Sequence, residues 1–539
     1  MELKVYTRQP CETDYPPGLA YSVHMASREE KGDFQPWNKN YGILFAEAQI
    51  REDDTLFTKA LKEPRIFITE DGCYGIAAVR VHENGEEDID SQGKVLLWKT
   101  RDFITFDSLG LADAKESGWE TAGDCICVGK DVLVKASEYW RPVFHTETAV
   151  PESVEISSGE ELDRIRARAV YSDGSCHFKR VRWEKDGIDF EAEGSYEVEG
   201  SVVDQSFPFP VAVGYGDPVI FSWEGKWYYI STNDNTDDIG LYVREADSVR
   251  ELFCEDAVEH LILASDARRG LVQTFWAPEF HVIGGELYIL FAVSGQVWGP
   301  QCHMMKLRKG RSITEADSWE NPVRVVRSDG SALTQDGITL DMTYLKTGRS
   351  SYVIWSYRKH IGTALDSGSM LYIASVDESA PWKLSSEPVL LSRPLLGWEN
   401  VAGTINNEGP YTFVKDGTVY LTYSGGSANS YTYVLGLLTA QEGDDLLKTA
   451  SWTKRCAPVL SFYSVEGEYG PGHNSFYVNE EGDLMIAYHA ETALDQTIRC
   501  DGIRRVHFRG NGVPEFGMSA REDLNPLLRS VRTRVVIKK

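Results

Sequence analysis

The sequence predicts an all-β protein: a five-bladed β-propeller preceded by a β-rich N-terminal domain and a small β-sandwich. Three observations predict it. The 539 residues read as short alternating strands broken by Gly, Asp and Asn, with almost no amphipathic helix. One phrase recurs: a polar residue, a β-prone run, a Gly turn, then a second strand rich in Tyr, Ile, Leu and Val. The copies begin at Asp217, Glu279, Asp341, Glu408 and His473, so they lie 62, 62, 67 and 65 residues apart. Such a hairpin cannot bury both faces alone, and a repeat of this length has room for two further strands, which is the composition of a propeller blade.

Residues 1–147 are expected to form the N-terminal β-domain. A sixth copy of the phrase, "EPRIFITEDGCYGIAA" (63–78), lies there, out of period with the other five. No acidic triad is evident in 1–147, so the region is read as non-catalytic. Residues 148–205 follow, and "YSDGS" with "GSYEVEGSV" resembles a small bacterial Ig-like module. The propeller is expected over 206–539.

Composition narrows the function. The chain is 42% apolar, and its 14 Trp and 26 Tyr suit a carbohydrate cleft. Its net charge of −27 repels nucleic acid and anionic membranes, so neither is expected as a partner. The nine cysteines are scattered, only Cys125 and Cys127 being close, and are expected as free, mostly buried thiols in a reducing compartment. No apolar run is long enough to span a bilayer, and "MELKVYTRQPCETDYPPG" has no leader character, so a cytoplasmic location is expected.

Chemistry enters through the first residue of each copy. In a propeller the innermost strands begin near the axis on one face, so Asp217, Glu279, Asp341, Glu408 and His473 should converge. Like charges gathered at an apolar mouth cost free energy without a task. Two carboxylates across a small cavity hydrolyse a glycosidic bond when one is held protonated as the acid and the other activates water, about 6.5–9.5 Å away in inverting enzymes. A third carboxylate would tune the acid.

The segments "GYGDPVIF", "FWAPEF", "GITLDMT", "NNEGPYTF" and "PGHNSF", in that order, resemble glycoside hydrolase family 43, five-bladed propellers that remove arabinofuranose or xylose from plant polysaccharides. The resemblance covers about 206–510. It implies Asp217 as general base, Asp341 as orienter and pKa modulator, and Glu408 as general acid. It further implies Trp276 as an aromatic wall against the sugar, with Phe275 beside it. His473 would line the sugar site and match an axial histidine that, in several members, helps hold a hydrated calcium. The implied activity is inverting removal of α-L-arabinofuranosyl residues from an oligosaccharide. β-Xylosidase or endo-arabinanase action fits the same framework, and a non-hydrolytic sugar-binding propeller is the alternative of another class.

Overall fold

The computed structural model describes residues 1–11, 13–29, 32–348, 350–494 and 496–538. They form two compact units: one combines 1–140 with 209–502, the other 141–208 with 503–539.

In the first unit, five four-stranded antiparallel sheets follow one another and make the propeller. Blade I is built from Tyr215–Trp223, Lys226–Asn233, Leu241–Ala246 and His260–Leu263, and the next three blades repeat the plan in sequence order. Blade V differs. Its outermost strand is Ala212–Val213, from the start of the ring, paired antiparallel with Cys500–Arg505 from its end. This exchange joins the first blade to the last and satisfies backbone groups that an open edge would leave unpaired.

Every inner strand carries the same irregularity. Its pairing with the second strand skips two residues, and the first of these has positive φ: Asp217 (60°), Ala277 (47°), Asp341 (52°), Gly409 (54°) and His473 (42°). Bulges of this kind bend a strand and re-aim its side chains. The N-terminal region repeats the device: Lys59–Ile68, Tyr74–His82, Lys94–Thr100 and Asp107–Asp113 form a four-stranded meander whose first strand bulges at Glu63, φ 50°. That is the starting residue of the sixth copy.

Residues 1–140 and the ring share a core. Tyr15, Leu19, Ala20, Tyr41 and Phe45 pack with Ile354, Leu371, Trp398, Leu421, Tyr423 and Phe462.

The second unit corrects the expected boundary at 539. Residues 503–539 group with 141–208, not with the ring. Ser530–Ile537 lies antiparallel to Gly194–Val202 and parallel to Ser153–Ile156 in a six-stranded sheet. The alternating burial of both Ser530–Ile537 and Gly194–Val202 gives each one apolar face, and Val198 and Val535 meet in the core with Trp183. The module expected over 148–205 is therefore one strand short without the chain's far end.

All nine cysteines are free, but only Cys73, Cys302 and Cys500 are buried, whereas Cys11, Cys127, Cys176 and Cys254 are exposed. The expectation of mostly buried thiols is corrected. The four exposed cysteines lie in or beside strand edges and loops, where the packing leaves them open to water.

Candidate active site

The bulges place the polar residues. At a bulge the backbone N–H leaves the ladder and needs another acceptor. In four blades the preceding blade supplies one: the Asp217 N–H donates to His489 Nδ1 (3.1 Å), Ala277 to Thr232 Oγ1 (2.8 Å), Gly409 to Asp341 Oδ2 (3.1 Å) and His473 to Ser424 Oγ (2.7 Å). These bonds stitch the blades together around the axis and fix the side chains at the bulges.

His473 is the hub. It is 8% exposed, and its Nδ1 lies 3.1 Å from Asp217 Oδ1. Burial disfavours a charged imidazole, yet Asp217, Asp341, Glu408 and Glu279 together raise its pKa. Four of the five residues expected to converge thus act on the ring of the fifth, although they begin repeats spread over more than 250 residues.

The three outer carboxylates have different surroundings. Asp217 is buried, which alone would favour its neutral form. His473 and Arg499 outweigh that and hold it well below the usual carboxylate range. Arg499 Nη1 lies 3.1 and 3.2 Å from its two oxygens, and Thr232 Oγ1 donates to Oδ2 at 2.5 Å. His489 also approaches Oδ1 (3.3 Å), but its Nδ1 already accepts the Asp217 N–H. Burial lowers the His489 pKa to about 4, so the ring is neutral and this approach is no ion pair.

Asp341 is 2% exposed and accepts from Ser356 Oγ (3.0 Å) and the Gly409 N–H (3.1 Å) through Oδ2. Burial and the charge of Asp217 raise its pKa. Glu408 alone of the three keeps part of its surface open. Burial of the carboxyl and the neighbouring Asp341 charge push its pKa up to about 7, and Tyr433 donates to Oε1 at 3.0 Å. The Tyr433 ring is stacked on His489 (5.5 Å, 6°), which joins the Glu408 and Asp217 environments.

The remaining expected residues divide. Trp276 is half-buried. It packs with Ala292, Ile338 and Leu340, and its Nε1–H donates to Asp238 Oδ2 at 2.7 Å, so its ring is held from both sides. Phe275 is corrected: it is 0% exposed, inside an apolar cluster with Leu241, Leu271 and Phe291, where no sugar reaches it. Adjacent strand residues face opposite ways, so the half-buried Trp276 sends Phe275 inward. Glu279 lies two residues beyond its bulge and pairs with His281 (Oε2 to Nε2, 2.6 Å). At His473 the protein offers one imidazole, and calcium takes six to eight oxygens, so a hydrated calcium there would draw most of its ligands from water, because the Asp217, Asp341 and Glu279 carboxylates hold protein partners.

Arg499, His489, Tyr433, Thr232 and Asp238 were not singled out from sequence. Tyr433 lies in "SGGSANSYTYV" (424–434), the segment that leaves the second strand of blade IV. The others carry no motif, because their importance comes from neighbours in another blade.

The fold agrees with what the chain is similar to. It is 32% identical over 334 residues to an extracellular exo-alpha-(1->5)-L-arabinofuranosidase of Streptomyces avermitilis, covering 60% of this chain and 65% of that one. It is 29% identical over 322 residues to alpha-L-arabinofuranosidase B of Pyricularia oryzae, covering 58% and 63%. Both matches span just under two thirds of the relative. Among solved structures, an alpha-L-arabinofuranosidase from Lactobacillus brevis aligns with a TM-score of 0.51 at 26% identity, over 58% of this chain and 97% of that one. The family model described as Glycosyl hydrolases family 43 matches residues 207–514, more than half of the sequence. With its ring of five blades and its acidic axis, the chain belongs to glycosyl hydrolases family 43.

Proposed function

We propose that this protein is an inverting α-L-arabinofuranosidase that removes terminal arabinofuranosyl residues from arabino-oligosaccharides. The observation that carries the reading is the split between two carboxylates at one site: Glu408 with its pKa raised to about 7, Asp217 held well below the usual range. Carboxylates whose environments push their pKa values apart take the acid and base roles. Glu408 gives its proton to the leaving oxygen. Asp217 takes a proton from the water that attacks the opposite face of the anomeric carbon. The Asp341 charge, fixed by Ser356 and the Gly409 N–H, keeps Glu408 protonated. Trp276 offers the exposed part of its ring to the sugar.

The sugar and the exo mode are taken from the relatives' names, and so is the location. Relatives named extracellular overturn the cytoplasmic expectation. Exposed free cysteines do not decide the compartment.

Proton NMR of the first product from α-1,5-arabinobiose tests the reading. Release of β-L-arabinose supports it. Release of the α-anomer would refute inversion, and xylose from xylobiose in place of arabinose would move the substrate to β-xylosides. Glu408→Gln should lose about 10²–10⁴-fold on the disaccharide. Undiminished turnover would remove Glu408 from the acid role, and no turnover by the wild type on any pentoside would favour a sugar-binding propeller.

A further inference from the structure

A cleft of about 400 Å³ opens beside blade III, and none of Asp217, Asp341, Glu408 or Trp276 lines it. Its floor is aromatic. Trp355 is stacked on Tyr372 (6.1 Å, 26°), and Tyr357 meets Tyr372 edge-on (5.5 Å, 77°). Its wall is the connection 327–336 between blades II and III, which is held in shape from within. Arg327 N–H bonds to Ser331 O, Asp329 Oδ1 accepts from the Ser331 N–H (2.8 Å), and Tyr357 OH donates to Asp336 Oδ1 (2.8 Å) while accepting from Thr334 (3.1 Å). The cleft is therefore preformed.

The polar groups left over are specific. Asp336 spends only Oδ1 on the protein, Asp329 likewise only Oδ1, and the exposed Gln335 amide and the Lys359 ammonium have no hydrogen-bonded partner among the described residues. The charged lining is mixed: Arg327, paired with Glu387 (3.0 Å), and Lys359 stand among Asp329 and Asp336. A mixed lining makes no single-sign field for an anion or a cation. Aromatic rings flanked by unspent acceptors and donors match the apolar faces and hydroxyl edges of a neutral sugar, and the volume lies in the range of small-ligand sites.

We propose that this cleft is a second, non-catalytic binding site for a neutral oligosaccharide, holding part of a longer sugar chain apart from the catalytic residues. The choice of an arabino-oligosaccharide rests on the function proposed above. The site itself does not.

The test is calorimetric titration of the full-length Glu408→Gln protein with α-1,5-arabinotetraose and, separately, xylotetraose. Two sites per chain are expected with arabinotetraose, falling to one when either Tyr372→Ala or Gln335→Trp is added. Gln335→Trp fills the cleft from its exposed rim without touching its buried wall. In the otherwise wild-type enzyme the same two changes should leave turnover of 4-nitrophenyl α-L-arabinofuranoside unchanged and raise KM on arabinan severalfold. A single site in Glu408→Gln for both sugars, or two sites surviving in both cleft variants, overturns the proposal. A second site filled by xylotetraose alone keeps the cleft and refutes the arabinan assignment. Arabinoside hydrolysis with an empty cleft refutes the cleft alone.

Discussion

Glu408 and Asp217 show how far two carboxyl groups at one site are driven apart by what surrounds them. Glu408 loses hydration and faces Asp341, whereas Asp217 loses hydration but gains Arg499 and the His473 imidazole. With Glu408 as the proposed acid and Asp217 as the proposed base, activity requires Glu408 protonated and Asp217 ionised. kcat/KM for an oligosaccharide should therefore hold through mildly acid pH and fall as pH rises through about 7. A pH–rate profile with an alkaline limb near 10 would exclude Glu408 as the titrating acid. The same group shapes stability. Its folded pKa lies above its unfolded value, so the native state binds the extra proton between the two, and stability falls as pH rises across that window. Glu408→Gln removes this slope: melting temperatures of variant and wild type should be close near pH 4.5 and separate in the variant's favour at pH 8.

At the scale of the strand, the bulge is the working part. It puts a positive-φ residue at the same place in each inner strand, and that residue is an acid in two blades, histidine in one, and Ala277 or Gly409 in the others. Gly409 is required twice over. Its φ of 54° disfavours a side chain, and a Cβ would stand 2.9 Å from His473 Cγ. Gly409→Ala should cost about 1–2 kcal/mol from the backbone alone. It should also push His473 or Glu408 out of place, lowering kcat at least tenfold. Thermal melting and turnover on arabinobiose together check this. A variant with normal kcat would show that the bulge tolerates displacement.

At the scale of the molecule, closure and docking set the stability of the first unit. Ala212–Val213 fastens the ring, and the apolar cluster shared by 1–140 and blades III and IV covers its flank. Tyr15 stands at that boundary, 0% exposed. It is stacked on Tyr463 (5.5 Å, 7°), and its hydroxyl lies 2.9 Å from His24 Nε2 and accepts the Gly42 N–H (3.1 Å). Tyr15→Ala should lose about 3–5 kcal/mol, as aromatic truncations in cores do. Urea unfolding would measure it, and a loss under 1 kcal/mol would mean that the two parts do not stabilise each other.

The amino-acid sequence by itself determined the strand-rich class, the repeat of 60-odd residues and the acidic residues that open each copy, because periodicity and charge are local properties. It aligned those residues by chemistry, whereas the folded chain aligns them by backbone. Glu408 therefore sits one residue before its bulge and Glu279 two residues after. Only the tertiary structure decided which groups surround the carboxylates. Arg499, His489, Thr232 and Tyr433 come from other segments of the chain, and what makes them matter is a distance in the folded protein, not a spacing along the sequence. The burial of Phe275 beside an accessible Trp276, and the recruitment of Ser530–Ile537 into the sheet of 141–208, were settled in the same way. Each depends on which apolar face finds a partner, and that partner is far away in sequence.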